Sequence, residues 1–194
     1  MTDEVRNMIV ESAATFFTRF GFQHTTMENI AESIHKAKGL LYYYFKSKEE
    51  LFREVLKMDL KRIKEQLLTI SSSDEDSHIT LKKFVRTRLG LLCRSTSYHE
   101  VVKADLYSRS PIFLEDLKND FEDFEKSQLS LILQKGEQSG DFKIDSIPST
   151  VNGILTVVGS FDFSLIIKKR HAELETLIDE ISTIIVNSVR KEVA

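Results

Sequence analysis

Cysteine, proline and glycine are scarce in this chain of 194 residues, at one, two and seven, and tryptophan is missing altogether. The single cysteine, Cys93, excludes an internal disulfide framework. With no charged-then-apolar segment at the start, this suits a reducing, cytoplasmic setting. So few glycines and prolines offer too few turns for a many-stranded sheet. A surplus of positive charge is also lacking, because 27 Lys and Arg against 30 Asp and Glu leave a net charge of −3. A protein that coats nucleic acid over its whole surface needs many cation–phosphate contacts, so any nucleic-acid site here must be a local patch. Nor is there a long hydrophobic run. The longest, around 153–167, is interrupted by Ser160 and Asp162 and falls short of the roughly 20 residues that span a bilayer. It reads as a buried helix, and no membrane partner is expected.

Catalytic and metal-binding patterns are missing as well. The histidines His24, His35, His78, His99 and His171 are scattered, with no His-Glu-x-x-His, no cysteine pair and no phosphate-binding glycine loop. The chain does not read as an enzyme, and no cofactor or metal is expected from its motifs.

What is present is helical periodicity on a 41% hydrophobic background, enough for a core in one large domain or two small ones. Val5, Ile9, Ala13, Phe16, Phe17 and Phe20 recur at three- and four-residue steps, and Gly21 follows where a left-handed cap stops a helix. Thr25 and Thr26 are both candidate N-caps, with Glu28 three residues after the first. Ile30, Ala31 and Ile34 then give a brief second helix. A tight link at His35 and Lys36 leads to a third, with Leu41, Tyr44 and Phe45 on one side and Lys38, Tyr42 and Tyr43 on the other. Ser47 caps a long fourth helix carrying Leu51, Phe52, Val55, Leu56, Leu60, Ile63 and Leu67. With no Gly/Ser-rich linker before the polar stretch 71–77, motion in the back half has a route to the front. Further helices are predicted over 80–94, 98–108 and 112–138, the last ended by Ser139 and Gly140. Another begins at Pro148 and runs past Phe163, and a final one covers about 171–191. About nine helices result, and the fold class is all-α.

Two short helices joined by a tight turn, the second showing lysine and tyrosine outward, match the width and donor pattern that a DNA major groove accepts. Lys36, Lys38, Lys46 and Lys48 fall between Ser33 and Lys48, a stretch without a single Asp or Glu. Positive charge is therefore concentrated where a recognition helix docks, although the chain as a whole is slightly acidic.

These residues resemble the tetracycline-repressor-type (TetR) regulators. The resemblance covers roughly Val5 to Leu56 and rests on Thr25-Thr26, Ile30-Ala31 and the run Gly39-Leu40-Leu41-Tyr42-Tyr43-Tyr44-Phe45-Lys46-Ser47-Lys48-Glu49-Glu50-Leu51. It implies a DNA-binding domain over residues 1–47, with the helix-turn-helix at about 26–45, and a helical effector-binding and dimerisation domain over 48–194. It also implies that Thr26 and Lys48 hold phosphates, while Lys38, Leu40, Tyr42 and Tyr43 face bases or nearby backbone. Tyr44 and Phe45 read instead as core. The family turn usually carries Gly, an apolar residue and Ser, where this chain has His35, Lys36 and Ala37. His35 is then expected in the left-handed region that glycine takes freely, Ala37 leaves the third helix without a side-chain cap, and Lys36 offers a compensating phosphate contact.

In the last helix Leu174, Leu177, Ile178, Ile181, Ile185 and Val189 form a stripe, widened by Ile184 and Val186. In the helix before it Gly153, Thr156 and Ser160 share a small-residue face. The resemblance implies that these two helices pair with a second copy as a four-helix bundle. A ligand pocket among the middle helices has Phe84, Leu91, Tyr107, Phe113, Phe124, Phe161 and Phe163 as apolar candidates and Arg88, His99 and Asp162 as polar ones. The reading is a DNA-binding transcriptional regulator, a repressor by resemblance. It would bind a palindromic operator as a homodimer and be released by a small-molecule effector. The alternative is a helical ligand-binding or protein-interaction module that has lost DNA recognition, supported only by the atypical turn.

Overall fold

In the computed structural model, residues 2–100, 114–168 and 174–191 are described, except for the side chains of residue 2 and of 162–168. The described chain is helical: α1 (Thr2–His24), α2 (Met27–Ser33), α3 (Lys38–Tyr44), α4 (Lys48–Ser71), α5 (Ser77–Arg94), α6 (Glu115–Gln138), α7 (Ile147–Lys168) and α8 (Leu174–Val189). Residues 96–100 are also helical, and the rest of the helix expected over 98–108 lies outside the described residues. The only pairing of extended backbone among the described residues is one isolated antiparallel bridge, Phe142 with Arg190.

Two compact units are present. One comprises Met1–Lys61 with Ser95–Leu117, and the other Arg62–Arg94 with Lys118–Ala194, so that a boundary falls inside α4. In the first unit the apolar stripe of α1 supplies Ile9, Val10, Ala13 and Phe17 to a core completed by Ile30, Ala31, Leu41, Phe45, Leu51, Phe52 and Val55. The Phe17 and Phe22 rings both meet Phe52 edge-on, at 5.1 and 5.0 Å. Each such side chain withdrawn from water contributes about 1.5–3 kcal/mol, which holds in place two helices of only seven residues that are unstable alone. Arg6 adds a second tie, with its guanidinium 5.1 Å from the Phe45 ring and 2.5 Å from the Glu54 carboxylate.

In the second unit α5 packs against α7 and α8. Leu81, Phe84, Val85, Leu89 and Leu92 of α5 are buried, as are Val151, Ile154 and Val158 of α7 and Ile178, Ile181, Ile185 and Val189 of α8. One buried ion pair crosses this core, Arg88 Nε to Glu125 Oε1 at 2.6 Å, with each side chain about one-twentieth exposed.

The helix ends follow local chemistry. Gly21 takes φ 76° as expected, although a further helical turn, 22–24, follows it. The α5 helix starts three residues before the expected Thr80, because Asp76 caps it by accepting the His78 N–H at 2.8 Å. At the far end of α6, Gly140 has φ 80°, and the chain folds back so closely that the Phe142 ring lies where a Cβ on Gly136 would sit.

Candidate nucleic-acid interface

The site is built by three caps and a turn. Thr26 is the N-cap of α2, its Oγ1 accepting the Asn29 N–H at 3.2 Å and donating to the Asn29 side chain at 2.7 Å. Thr25, the other candidate, is buried and donates instead to the Gly21 carbonyl at 2.8 Å, which closes the end of α1. Glu28 therefore plays no part in a capping box.

The α2 helix ends in a Schellman motif. The Lys36 N–H reaches the Ala31 carbonyl at 3.0 Å, and the His35 N–H reaches Glu32 at 3.1 Å, with His35 at φ 52°. His35 thus occupies the left-handed position at which glycine is the usual residue. Ala37 is the N-cap of α3 and supplies no side-chain hydrogen bond. Both expectations for the atypical turn are met, yet the turn closes with its backbone groups paired. The observation behind a lost DNA function therefore leaves the helix-turn-helix intact.

Beyond the turn, α3 buries Leu41 and, at its end, Phe45, while Tyr44 is half-buried and meets Tyr43 edge-on at 5.2 Å. The opposite face is open: Tyr42 is 43% and Tyr43 76% exposed. Lys36 and Lys38 are exposed as well, and Leu40 is half-buried. The Lys38 ammonium lies 5.5 Å from the Tyr42 ring centre and is ion-paired with Glu28 of α2. This hydrogen bond raises the Lys38 pKa above the ordinary lysine value and lowers that of Glu28 below the ordinary carboxylate value. Sequence reasoning missed the pairing, because ten residues separate the two and only the turn brings them together.

Ser47 caps α4, accepting the Glu50 N–H at 3.1 Å, while Glu50 reaches back to the Lys46 N–H at 2.6 Å. Lys48, in the first turn, donates to the Phe22 carbonyl at 2.8 Å and lies 4.3 Å from the Phe22 ring. That bond uses one of three ammonium hydrogens and fixes where the head group sits.

Expected residues of the second unit fare unevenly. Ile178, Ile181 and Ile185, assigned by the stripe to a dimer face, are buried within their own unit. A monomer core and a pairing surface both need apolar residues at helical spacing, so periodicity alone cannot separate them. Leu174 and Leu177 are half-buried, whereas Gly153, Thr156 and Ser160 are exposed. Val157 and Ile184, at 42% and 67% exposure, join this open face. It borders a groove of about 680 Å³ that Gly153, Val157, Ile184 and Ser188 help to line. Among the pocket candidates Phe84 and Arg88 are buried, Leu91, Phe124, Phe161 and His99 are half-buried, and His99 belongs to the first unit. Tyr107 and Phe113 lie outside the described residues, as do the side chains of Asp162 and Phe163. No helix of the described residues is long and apolar enough to cross a membrane.

A capped helix, a left-handed turn and a second helix that shows cations and tyrosines outward define a helix-turn-helix protein of all-α architecture. Residues 9–55 match the family model described as bacterial regulatory proteins, tetR family. Over 66 residues it is 39% identical to the uncharacterized HTH-type transcriptional regulator YhgD of Bacillus subtilis, a match covering 34% of this chain and 35% of that one. The chain thus matches about a third of the length of that relative. It is 28% identical over 144 residues to the HTH-type transcriptional repressor KstR2 of Rhodococcus jostii, covering 72% and 69% of the two chains. The fold is shared along nearly the whole length with the transcriptional regulator FadR from Bacillus subtilis in complex with stearoyl-CoA, at TM-score 0.75, 19% identity and coverage of 95% and 100%.

Proposed function

We propose that this protein is a homodimeric transcriptional repressor that grips a palindromic operator through α3 and lets go when a small molecule binds its helical C-terminal region. The observation that carries the reading is the outward face of α3, where Lys38, Tyr42 and Tyr43 stand exposed on a helix whose other face is locked into a core. Lys38 offers donors to a guanine edge, and the half-buried Leu40 offers apolar contact to a thymine methyl. Thr26, Lys36 and Lys48 sit at helix termini or in the turn, where phosphate contacts set register rather than sequence. Functionally, residues 1–47 read DNA and residues 48–194 dimerise and bind the effector.

Dimerisation is supported by the small and apolar residues left open on α7 and α8. Gly153, Thr156 and Ser160 allow close helix approach, Val157 and Ile184 supply area, and Leu174 and Leu177 flank them. A two-fold protein places its two reading heads about 34–36 Å apart, which a palindromic site mirrors. Release requires the effector to bind the non-binding state more tightly than the DNA-bound one. A small-molecule effector agrees with the stearoyl-CoA seen in the similarly folded FadR. Its contacts are assigned to the aromatic side chains of the middle helices.

The test is selection from random duplex DNA followed by affinity measurements at several salt concentrations. Three lysines per protomer, Lys36, Lys38 and Lys48, predict a log–log salt slope of about −5 for the dimer. Lys48→Ala is expected to lessen that slope by about 2 per dimer, and Tyr42→Ala to weaken binding about tenfold, with the dimer intact in light scattering. A chain that selects no palindrome, or variants that both bind like the parent, would overturn the assignment. Ile184→Asp is expected to yield monomers, and a dimer unchanged by it would move the pairing surface elsewhere.

A further inference from the structure

The motifs of the sequence contain no metal-ligand spacing, yet the fold gathers one set of ligating side chains in the second unit, which does not contain α3. Asp76 and His78 at the start of α5 and Asp141 in the turn after α6 each present a ligating atom, and all three atoms lie within 4.8 Å of one another. We propose that Asp76, His78 and Asp141 bind one divalent transition-metal ion, with zinc as the best match, and so fasten the α6–α7 turn to the N-terminus of α5.

Three observations support this. First, the donors are already arranged: His78 Nδ1 is 3.1 Å from Asp76 Oδ1, close to the ligand–ligand spacing of about 3.3 Å that tetrahedral zinc requires with bonds near 2.0–2.1 Å. Asp141, whose ligating oxygen lies within 4.8 Å of the other two atoms, has to close on them to complete the set. Second, the two carboxylates lack a counter-charge. Among the described residues neither has a lysine or arginine partner, so two anionic groups face each other with only an imidazole between the chain segments. Third, the imidazole is held. Its ring stands edge-on to Phe142 at 5.0 Å, and Nε2 is buried without a hydrogen-bond partner, which limits how the ring can turn.

The helix cap does not compete for the site. Asp76 Oδ1 accepts the His78 N–H at 2.8 Å with one lone pair, and its other lone pair stays open to a cation. Ser139 Oγ donates to Asp141 Oδ2 at 2.6 Å and orients that carboxylate, the kind of outer contact that ligating carboxylates use. Two carboxylates and one imidazole leave a coordination position for water, and the neutral histidine needed as ligand makes binding weaker in acid. The consequence is mechanical. The Asp141 carbonyl accepts the Lys191 N–H at 3.0 Å, and Lys143 N–H reaches Val189 at 2.9 Å, so an ion held here also steadies the end of α8.

The experiment is calorimetric titration of the full-length, tag-free protein with zinc chloride, repeated with cobalt(II) to read the ligand-field absorption. The expected result is one saturable equivalent per chain, a low-symmetry cobalt spectrum, and affinity weakened at least about tenfold in both His78→Gln and Asp141→Asn. Circular dichroism in chelator establishes that the variants are folded, and if one is not, the other decides. No saturable equivalent, or an equivalent that both variants retain at parental affinity, overturns the proposal. Because the site and α3 belong to different units, DNA binding by metal-free protein tests the repressor reading separately.

Discussion

Replacing His35 by glycine should make this protein more stable, contrary to the usual effect of introducing glycine. His35 holds φ 52° at the position after the α2 C-cap, and its side chain is exposed, so substitution forfeits no buried surface. A left-handed conformation costs an ordinary residue about 1–2 kcal/mol, and the added freedom of glycine in the unfolded chain takes back about 0.4–1 kcal/mol. The net expectation for His35→Gly is a gain of about 0.5–1 kcal/mol. Ala37→Ser repairs the other defect of the turn. At φ −68° and ψ 140° the backbone already has cap geometry, and a hydroxyl there meets the free N–H groups of the first turn of α3, worth about 1 kcal/mol. The two sites flank one turn, so their effects need not add. Urea midpoints at a fixed protomer concentration measure the stability, and hydrogen exchange at residues 41–45 reports whether α3 itself is firmer. If the recognition helix frays in the parent, operator affinity rises by the factor by which its ordered population rises. A His35→Gly protein with an unchanged or lower urea midpoint would refute the account of the turn.

Other consequences follow from charge. Glu28→Gln releases Lys38 from its ion pair and removes an anion from the DNA-facing side, so operator affinity in gel-shift assays should rise about two- to tenfold, with a steeper salt dependence. The Arg53 guanidinium, bidentate to Asp116, holds that carboxyl at about 2 against an ordinary 3.8. Because the folded value is depressed, the stabilisation is complete above about pH 4 and lost as pH falls toward 2; Arg53→Met should return the Asp116 titration, followed by NMR, toward 3.8. Glu125→Gln removes the anion paired with the buried Arg88 charge and should cost about 3–5 kcal/mol in denaturant melts, whereas an apolar double replacement of both partners should cost far less.

The parts of the fold legible from sequence were those written in local chemistry. Most of the apolar stripe of α1, with Ser47 and Gly140, acts through its own backbone or the nearest turn and is placed as read, whereas Phe20 is exposed and one helical turn follows the left-handed Gly21. Asp76 was passed over as the start of α5, although an aspartate two residues before His78 is as local a signal as Ser47. Long-range partners left no such mark. Glu28 with Lys38, Arg88 with Glu125, and Asp76 and His78 with Asp141 are ten or more residues apart, and nothing in their spacing announces that they meet.

The stripe of α8 shows the same limit from the other side. A helix with apolar residues on more than half its surface must bury two faces, and period alone gives no order in which they fill. The structure supplies the order: Ile178, Ile181 and Ile185 are buried in the unit where α5 packs against α8, while Ile184 stays exposed and lines a groove with Gly153 and Val157 of α7. An aliphatic side chain two-thirds exposed next to a small-residue stripe is poorly placed in a monomer and well placed where two copies of the same helix pair meet. On the proposed homodimeric reading, DNA recognition with two-fold symmetry and this uncovered face are linked requirements, since a symmetric operator needs a second reading head and the open face offers a surface to hold one.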